Sequence, residues 1–189
     1  YKVLNHEYSF SENGKTSTPI DSGNLIINGD NLEALKSLLP KYEGKVNCIY
    51  IDPPYNTGNE SWVYNDNVNS PQMKKWLGKV VGKECEDLTR HDKWLCMMYP
   101  RLKLLHKLLD ANGAIFISID ENELYNLQII MDEIFGKGNF VGQYNWFKSA
   151  TPPNLSFKIK KNLEYILCYT KKSNSDKFTG IKKESTSDD

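Results

Sequence analysis

The sequence contains no pair of cysteines in a Cys-x-x-Cys arrangement. Its four cysteines, Cys48, Cys85, Cys96 and Cys168, are spread along 189 residues, and Cys48 and Cys168 lie in apolar runs typical of strands. We interpret them as reduced thiols of an intracellular protein. His91 lies between Cys85 and Cys96, but the spacing fits no zinc-binding template, so a metal site is not expected.

Long apolar runs and a net charge are also lacking. No apolar stretch approaches the roughly 20 residues needed to cross a bilayer, and the amino terminus does not have the pattern of a signal peptide, so we predict a cytoplasmic protein without membrane contact. Lysine and arginine together number 24, as do aspartate and glutamate, and the overall charge therefore gives no argument for nucleic-acid binding. Residues 74–107 and 158–189 nevertheless carry an excess of basic side chains. These segments either form solvated faces or lie where a phosphate backbone passes.

The order of apolar and helical patterns predicts an α/β fold with mainly parallel strands. Apolar runs begin near positions 25, 46, 114, 140 and 163, and helical patterns separate the first four. The last two runs are predicted to form an antiparallel edge pair. The length fits one domain, with an arm at residues 1–23, the folded part at 24–170 and a polar linker or tail at 171–189.

The first part of this pattern predicts a βαβ unit. Leu25-Ile26-Ile27 is expected to be a buried strand, parallel to a second strand at residues 46–51. Between them, Asp30 and Glu33 form a capping box that begins a helix, and Pro40 is expected to end it.

The middle of the chain predicts a lid and three helices. Residues 59–72 show no period and are interpreted as a mobile loop, and residues 73–87 have the spacing of a helix. A longer helix is expected at residues 92–110, kinked or divided by Pro100 and capped by Gly113, with Trp94 in the core. Asp120 and Glu123 repeat the capping-box spacing and begin the next helix.

The most informative stretch follows the strand that ends at Ile51. Asp52, Pro53, Pro54 and Tyr55 come directly after it, where open α/β sheets place their ligands. Each proline fixes its own φ, removes a backbone donor and makes the preceding residue extend, so the loop is rigid and its carbonyls point outward. Asp52 and the Pro53 carbonyl could accept hydrogen bonds from an exocyclic amino group while a planar ring stacks on Tyr55.

This loop carries a resemblance to a known family. Asp52-Pro53-Pro54-Tyr55, within Ile-Asp-Pro-Pro-Tyr-Asn-Thr-Gly, resembles the catalytic motif of the amino methyltransferases. The longer stretch is similar to the adenine-specific (N6) DNA methyltransferases of the beta class, in particular the modification (Mod) subunits of type III restriction-modification systems. The upstream segment that contains Asp30 also resembles the family.

The resemblance implies a Rossmann-like, S-adenosylmethionine-dependent methyltransferase fold that transfers a methyl group to N6 of a flipped adenine in DNA. It implies catalytic roles for Asp52, Pro53, Pro54 and Tyr55. It also implies contacts of Asp30 and Asp52 with S-adenosyl-L-methionine, and contacts of Tyr55 and Asn56 with the substrate base.

One part of the family pattern is absent. The glycine-rich Phe-x-Gly-x-Gly turn of such enzymes has no counterpart, because Phe135-Gly136-Lys137-Gly138 lies at the end of a predicted helix. The resemblance therefore implies an amino-terminal catalytic half whose cofactor-binding half is missing, with a gap in the sheet and little activity alone. The implied partners are DNA, the remaining carboxyl-terminal half, and a restriction subunit or a second copy.

Other functions stay open. In cytosine (N4) amino methyltransferases the similar loop usually begins with serine, so Asp52 favours adenine. RNA is a further substrate class, because the loop contacts only the base. A non-catalytic DNA-binding module is favoured by the missing glycine turn and disfavoured by the intact loop.

Overall fold

The computed structural model describes residues 3–57, 85–148 and 162–172. The predicted lid, most of the predicted helix at 73–87 and most of the predicted tail lie outside these ranges. The described elements are, in order, β1 (Ser9–Ser11), β2 (Gly14–Thr16), α1 (Asn31–Tyr42), β3 (Val46–Ile51), α2 (Cys85–Leu108), β4 (Leu109–Ile119), α3 (Leu124–Met131), β5 (Phe140–Phe147) and β6 (Leu163–Thr170). A π-helical turn at Asp132–Gly136 and a 3-10 turn at Lys137–Asn139 join α3 to β5.

A four-stranded mixed sheet has the order β3-β4-β6-β5. β3 and β4 are parallel, whereas β4 and β6, and β6 and β5, are antiparallel. The prediction of mainly parallel strands is therefore wrong for the strands that the structure describes. The antiparallel pairing of β5 with β6 is confirmed, but only β5 is at the edge. β6 lies between β4 and β5, and its second half is buried, whereas almost all of β5 is exposed.

Leu25-Ile26-Ile27 does not form the predicted strand. The segment has no strand pairing, and the side chains of Leu25 and Ile26 are 61% and 92% exposed. Among the described strands, β3 pairs only with β4, so no strand next to Leu25 takes up its backbone donors and acceptors. An apolar triplet without such a neighbour cannot enter the sheet.

Helix α1 begins as predicted but ends later. Asp30 is the N-cap, and its Oδ1 accepts the backbone N–H of Glu33 at 3.0 Å. The Glu33 carboxylate pairs with Lys36 at 3.1 Å. Pro40 does not end the helix, which continues to Tyr42, since a proline near the last turn removes only one late hydrogen bond.

The core lies between the sheet and the three helices. α2 is one continuous helix from Cys85 to Leu108, so Pro100 does not divide it, and residues 109–110 of the predicted helix belong to β4. Trp94 is fully buried in the core, as the sequence predicts. The central strand β4 contributes Ile115, Ile117 and Ile119, all with no exposed surface. Helical residues packed against these strands include Leu102, Leu105, Leu124, Leu127 and Met131.

The two faces of the sheet are covered unequally. On β3, Ile49 belongs to the core beneath the helices, whereas Cys48 and Tyr50 on the opposite face are exposed. Tyr50 is 61% exposed and its hydroxyl bonds to that of Ser118 on β4. The described helices therefore pack on one face. Within the described ranges, no helix has the length and apolar character needed to span a membrane.

Gly113 lies inside β4 and not at a helix end, so its predicted role as a helix cap is wrong. An added Cβ at this position would lie 2.8 Å from Leu109 Cγ and 2.9 Å from the Val46 carbonyl oxygen. We expect Gly113→Ala to destabilise the fold by about 1–3 kcal/mol, because a backbone atom cannot move aside as a flexible side chain can.

Thermal unfolding followed by circular dichroism tests this effect. Gly142→Ala in β5 is the matched control, since an added Cβ there meets no atom within 4 Å. An equal melting temperature for the Gly113 and Gly142 variants would contradict the steric explanation.

Candidate active site

The loop of residues 52–56 leaves the carboxyl end of β3 at the edge of the helix-covered face. Asp52 is exposed, and Pro53, Pro54 and Tyr55 are half-buried. Tyr55 packs against the core, so the loop is attached to the domain along one side and open along the other. The structure therefore brings the four predicted catalytic residues together at one exposed rim.

Trp94 attaches the loop to helix α2. Its indole Nε1 donates a hydrogen bond of 2.7 Å to the Pro54 carbonyl. A buried tryptophan usually finds such a partner for its N–H. Because the Pro54 carbonyl is occupied in this way, the Pro53 carbonyl is the prolyl acceptor that, within the described residues, no hydrogen bond takes up.

Tyr55 and Asp52 interact with each other. Burial, together with a hydrogen bond to the Asp52 carboxylate, raises the pKa of the Tyr55 phenol well above its ordinary value. The phenol is therefore a neutral hydrogen-bond donor at physiological pH. The pair presents an apolar ring and a carboxylate side by side.

Asn56 lies on the inner side of the loop. It has a left-handed backbone with φ of 58° and is only 3% exposed. Its Nδ2 donates to Oε1 of Glu123 and lies 3.4 Å from the Arg90 carbonyl oxygen. The predicted contact of Asn56 with a substrate base is not favoured by this placement, since its amide faces the interior.

Glu123 is placed differently from the prediction. It is the N-cap residue of α3, but its side chain makes no capping hydrogen bond and is fully buried. Instead it lies 2.6 Å from His91 Nδ1 and accepts from Asn126 Nδ2 at 2.8 Å. Asp120 also caps nothing through its side chain, which accepts from the backbone N–H and amide of Asn122. The second capping box is therefore wrong.

A cavity of about 650 Å³ opens beside the loop. Its walls are mostly apolar, with one carboxylate and one guanidinium. The lining residues are Asn31, Leu35, Ile51, Asp52, Pro53, Pro54, Met97, Met98, Arg101 and Leu105. Cavities of this size with few polar groups are typical of sites for small organic ligands.

Arg101 lines this cavity, and Asp30 is adjacent in sequence to one of its lining residues. Asp30 precedes the lining residue Asn31, and its carboxylate is engaged in capping α1. Arg101 Nε donates to Asn31 Oδ1 at 2.7 Å, and Nη1 donates to the Met97 carbonyl at 2.6 Å. These bonds hold the guanidinium against the amino end of α1.

Sequence reasoning missed the residues that support the loop. Trp94 was assigned to the core without a polar role, although its indole N–H required a partner. His91 was considered only as a metal ligand. Within the described ranges, no group of three His, Cys, Asp or Glu side chains is arranged to hold a metal ion.

Together, the loop at the carboxyl end of β3 and the adjoining apolar cavity are typical of the place where α/β domains bind small ligands. Comparison of the sequence with family profiles identifies the family. The profile described as DNA methylase, for N6 and N4 methyltransferases, matches residues 46–189. The chain belongs to this family.

Individual relatives agree with this assignment. The chain is 43% identical over 163 residues to the Mod subunit of the type III restriction-modification enzyme EcoP15I of Escherichia coli, covering 80% of this chain and 24% of the relative. It is 36% identical over 170 residues to the type II methyltransferase M.KpnI of Klebsiella pneumoniae, covering 89% of this chain and 37% of the relative. The chain thus spans about a quarter of the EcoP15I subunit and little more than a third of M.KpnI.

Among solved structures, the chain is similar in fold to the cytosine-N4-specific PvuII DNA methyltransferase. The TM-score is 0.50 at 12% identity, and the match covers 77% of this chain and 48% of the other. At this identity the likeness concerns the fold alone. It supports the Rossmann-like methyltransferase fold that the resemblance implied.

Proposed function

We propose that this chain is the catalytic half of a site-specific DNA methyltransferase that transfers a methyl group from S-adenosyl-L-methionine to N6 of a flipped adenine. The observation that carries the proposal is the geometry of loop 52–56, in which the exposed Asp52 carboxylate interacts with Tyr55 and the adjacent Pro53 carbonyl accepts no hydrogen bond within the described residues. Membership of the DNA methylase family supports the reaction class. The Asp52 carboxylate, in place of serine, favours adenine over cytosine.

The loop residues act on the amino group of the base. This nitrogen is a poor nucleophile, because its lone pair is delocalised into the ring. Hydrogen bonds to Asp52 and to the Pro53 carbonyl would hold the amino group pyramidal, with its lone pair directed away from the loop, by positioning and electrostatics. The Tyr55 hydroxyl would leave Asp52 when the amino group arrives, and a proton of the methylated amine would then depart by way of the carboxylate.

Tyr55 would also compensate the energy of base flipping. An adenine inside a duplex cannot reach the loop, so it must leave the stack at a cost of about a few kcal/mol. The ring of the flipped adenine would stack on the Tyr55 ring, and this contact would offset part of the flipping cost. The phenol is suited to the role because it is neutral and held in place by the core.

The cavity beside the loop fits the nucleoside part of the methyl donor. Leu35, Met97, Met98 and Leu105 offer apolar walls, and Asp52 offers an acceptor at the rim. When bound, S-adenosyl-L-methionine supplies an electrophilic methyl group on a positively charged sulfur. Asp30 and Asp52 are the residues of this chain that we assign to cofactor contact; Asp52 lines the cavity, and Asp30 directly precedes the lining residue Asn31.

The other contacts with S-adenosyl-L-methionine would come from further residues of a longer polypeptide. Within the described residues, one face of the sheet has no helix on it and one edge of β3 has no neighbouring strand, and an α/β fold normally covers such surfaces with helices and further strands. The chain spans only a quarter of the EcoP15I Mod subunit, so a carboxyl-terminal half of the Mod type is the expected occupant. By the same comparison, DNA and either a restriction subunit or a second copy are the expected partners.

Calorimetry with S-adenosyl-L-methionine tests this division of the site. We expect the full-length protein to bind the cofactor and to yield N6-methyladenine in duplex DNA, detected by mass spectrometry. The 189-residue chain alone should bind weakly and transfer little, because the glycine-rich turn is not among its residues. Tight binding by the short chain would mean that the cofactor site is complete without a second half, and N4-methylcytosine as the product would contradict the assignment to adenine.

A further inference from the structure

Glu123 is a buried carboxylate that the proposed reaction does not use. Its side chain has no exposed surface, and among the described residues it is the only charged side chain in the fully buried interior. Burying a carboxylate is costly, and its removal from water is compensated only when hydrogen bonds satisfy its oxygens. The partners of Glu123 therefore indicate what the residue does.

Three side chains from three parts of the fold meet at this carboxylate. Asn56 comes from the loop, His91 from α2 and Asn126 from α3. Asn56 and His91 share Oε1, and Asn126 donates to Oε2. With Glu123 ionised, Nδ1 of His91 must carry the proton that it donates. The carboxylate thus joins the loop to both helices that cover β4.

The contact with Asn56 fixes the end of the catalytic loop. Asn56 directly follows Tyr55, and its φ of 58° is in the left-handed region, where few non-glycine residues are stable without local hydrogen bonds. The side-chain amide of Asn56 donates instead to Glu123, 67 positions away, and this bond ties the end of the loop to the interior. Two residues before Asn56, the Pro54 carbonyl accepts a hydrogen bond from Trp94. Tyr55 therefore lies between two fixed points.

We propose that Glu123 is a positioning residue for methyl transfer. Because its side chain is fully buried, it would contact neither base nor cofactor, and it acts through Asn56 to hold Tyr55 and Asp52 at the geometry that methyl transfer to the amino group requires. A buried carboxylate contributes little net stability compared with an apolar side chain of similar size, so its main effect is on orientation. The inference rests on the proposed function, because the readout of position is the methyl-transfer rate.

The first test is Glu123→Gln in the full-length protein. We expect kcat to fall by roughly 100-fold, since small misplacements of reacting groups have effects of this size, with KM for S-adenosyl-L-methionine unchanged. Glu133→Gln is the matched control, because Glu133 is an exposed carboxylate on the adjoining turn whose hydrogen bond comes from Tyr99. It should retain the wild-type kcat.

Rescue separates positioning from a general structural role. In Asn56→Asp combined with Glu123→Gln, donor and acceptor exchange places, and His91 can accept through Nδ1 in its other tautomer. The double variant should regain most of the kcat that Glu123→Gln loses. Asn56→Asp alone should have a lower kcat than both Glu123→Gln and the double variant. A Glu123→Gln variant with wild-type kcat, or a loss that the double variant does not rescue, would overturn the proposal.

Hydrogen exchange gives a readout that does not depend on activity. The amides of Tyr55 and Asn56 should exchange faster in Glu123→Gln than in the wild type, while those of β4 keep their protection. Equal exchange in both proteins would overturn the inference even if methylation is observed. If instead the wild-type full-length protein does not methylate adenine but exchange changes as expected, the proposed function fails while the anchoring of the loop stands.

Discussion

Substitution of Asp52 by alanine should eliminate methyl transfer by the full-length protein while leaving DNA binding intact. In the proposed reaction the carboxylate is one of two acceptors for the amino group of the base, and losing such a group in a preorganised site lowers the rate by roughly 10²–10³-fold. The Asp52 side chain is exposed and does not belong to the core, so its removal should not affect the fold. Transfer of labelled methyl groups and a DNA-binding isotherm measure the two effects separately.

Asp21→Ala is a suitable control for this experiment. Asp21 is also an exposed aspartate, in a segment that belongs to no helix or strand, and its replacement should leave transfer unchanged. Tyr55→Ala should behave differently from both by weakening binding as well as transfer, because the ring supports the flipped base. Methylation by Asp52→Ala at the wild-type rate would refute the assignment of the catalytic carboxylate.

Replacing Trp94 by alanine should produce the largest loss of stability, about 3–5 kcal/mol, because a fully buried aromatic side chain is removed from the core. Trp94→Phe keeps much of the apolar contact but deletes the donor to Pro54, and should cost about 1–3 kcal/mol, the penalty for an unsatisfied buried acceptor. Urea unfolding of the chain followed by circular dichroism gives both values.

Trp146→Ala provides the comparison. Trp146 is 60% exposed on the edge strand β5, so its removal should change the free energy of unfolding by no more than about 0.5 kcal/mol. If Trp94→Phe is as stable as the wild type, the bond between the indole and the Pro54 carbonyl does not hold the loop, and the rigidity of the loop comes from its prolines alone.

Local patterns predicted the parts of the fold that depend on neighbouring residues. The strand before Asp52 and the cap at Asp30 follow from apolar runs and from side chains three positions apart, and both are confirmed. The sequence also located the loop correctly, because prolines directly after a strand leave the backbone few alternatives, although only Ile49 of that strand is buried. Gly113 was misassigned because a glycine after a helical pattern suits a cap, and the close approach of Val46 is a tertiary contact.

Long-range contacts explain the other errors. Glu123 has the spacing of a capping residue relative to Asp120, but its partners Asn56 and His91 lie 67 and 32 positions away in the sequence. A periodic pattern carries no information about such pairs. Leu25-Ile26-Ile27 has the composition of a strand, yet a strand needs a neighbour, and that neighbour is not specified by the triplet itself.

The two anchored positions in loop 52–56, Pro54 and Asn56, also bear on the kinetics of recognition. An element held at Pro54 by an indole and at Asn56 by a carboxylate has few other conformations, so it gives up little entropy when it meets a ligand. In the proposed function, the conformational change needed for binding would then occur mainly in the nucleic acid. The rate at which the bound complex forms would be limited by how often a base leaves its stack. Weakly stacked sequences would therefore bind faster than stiff ones.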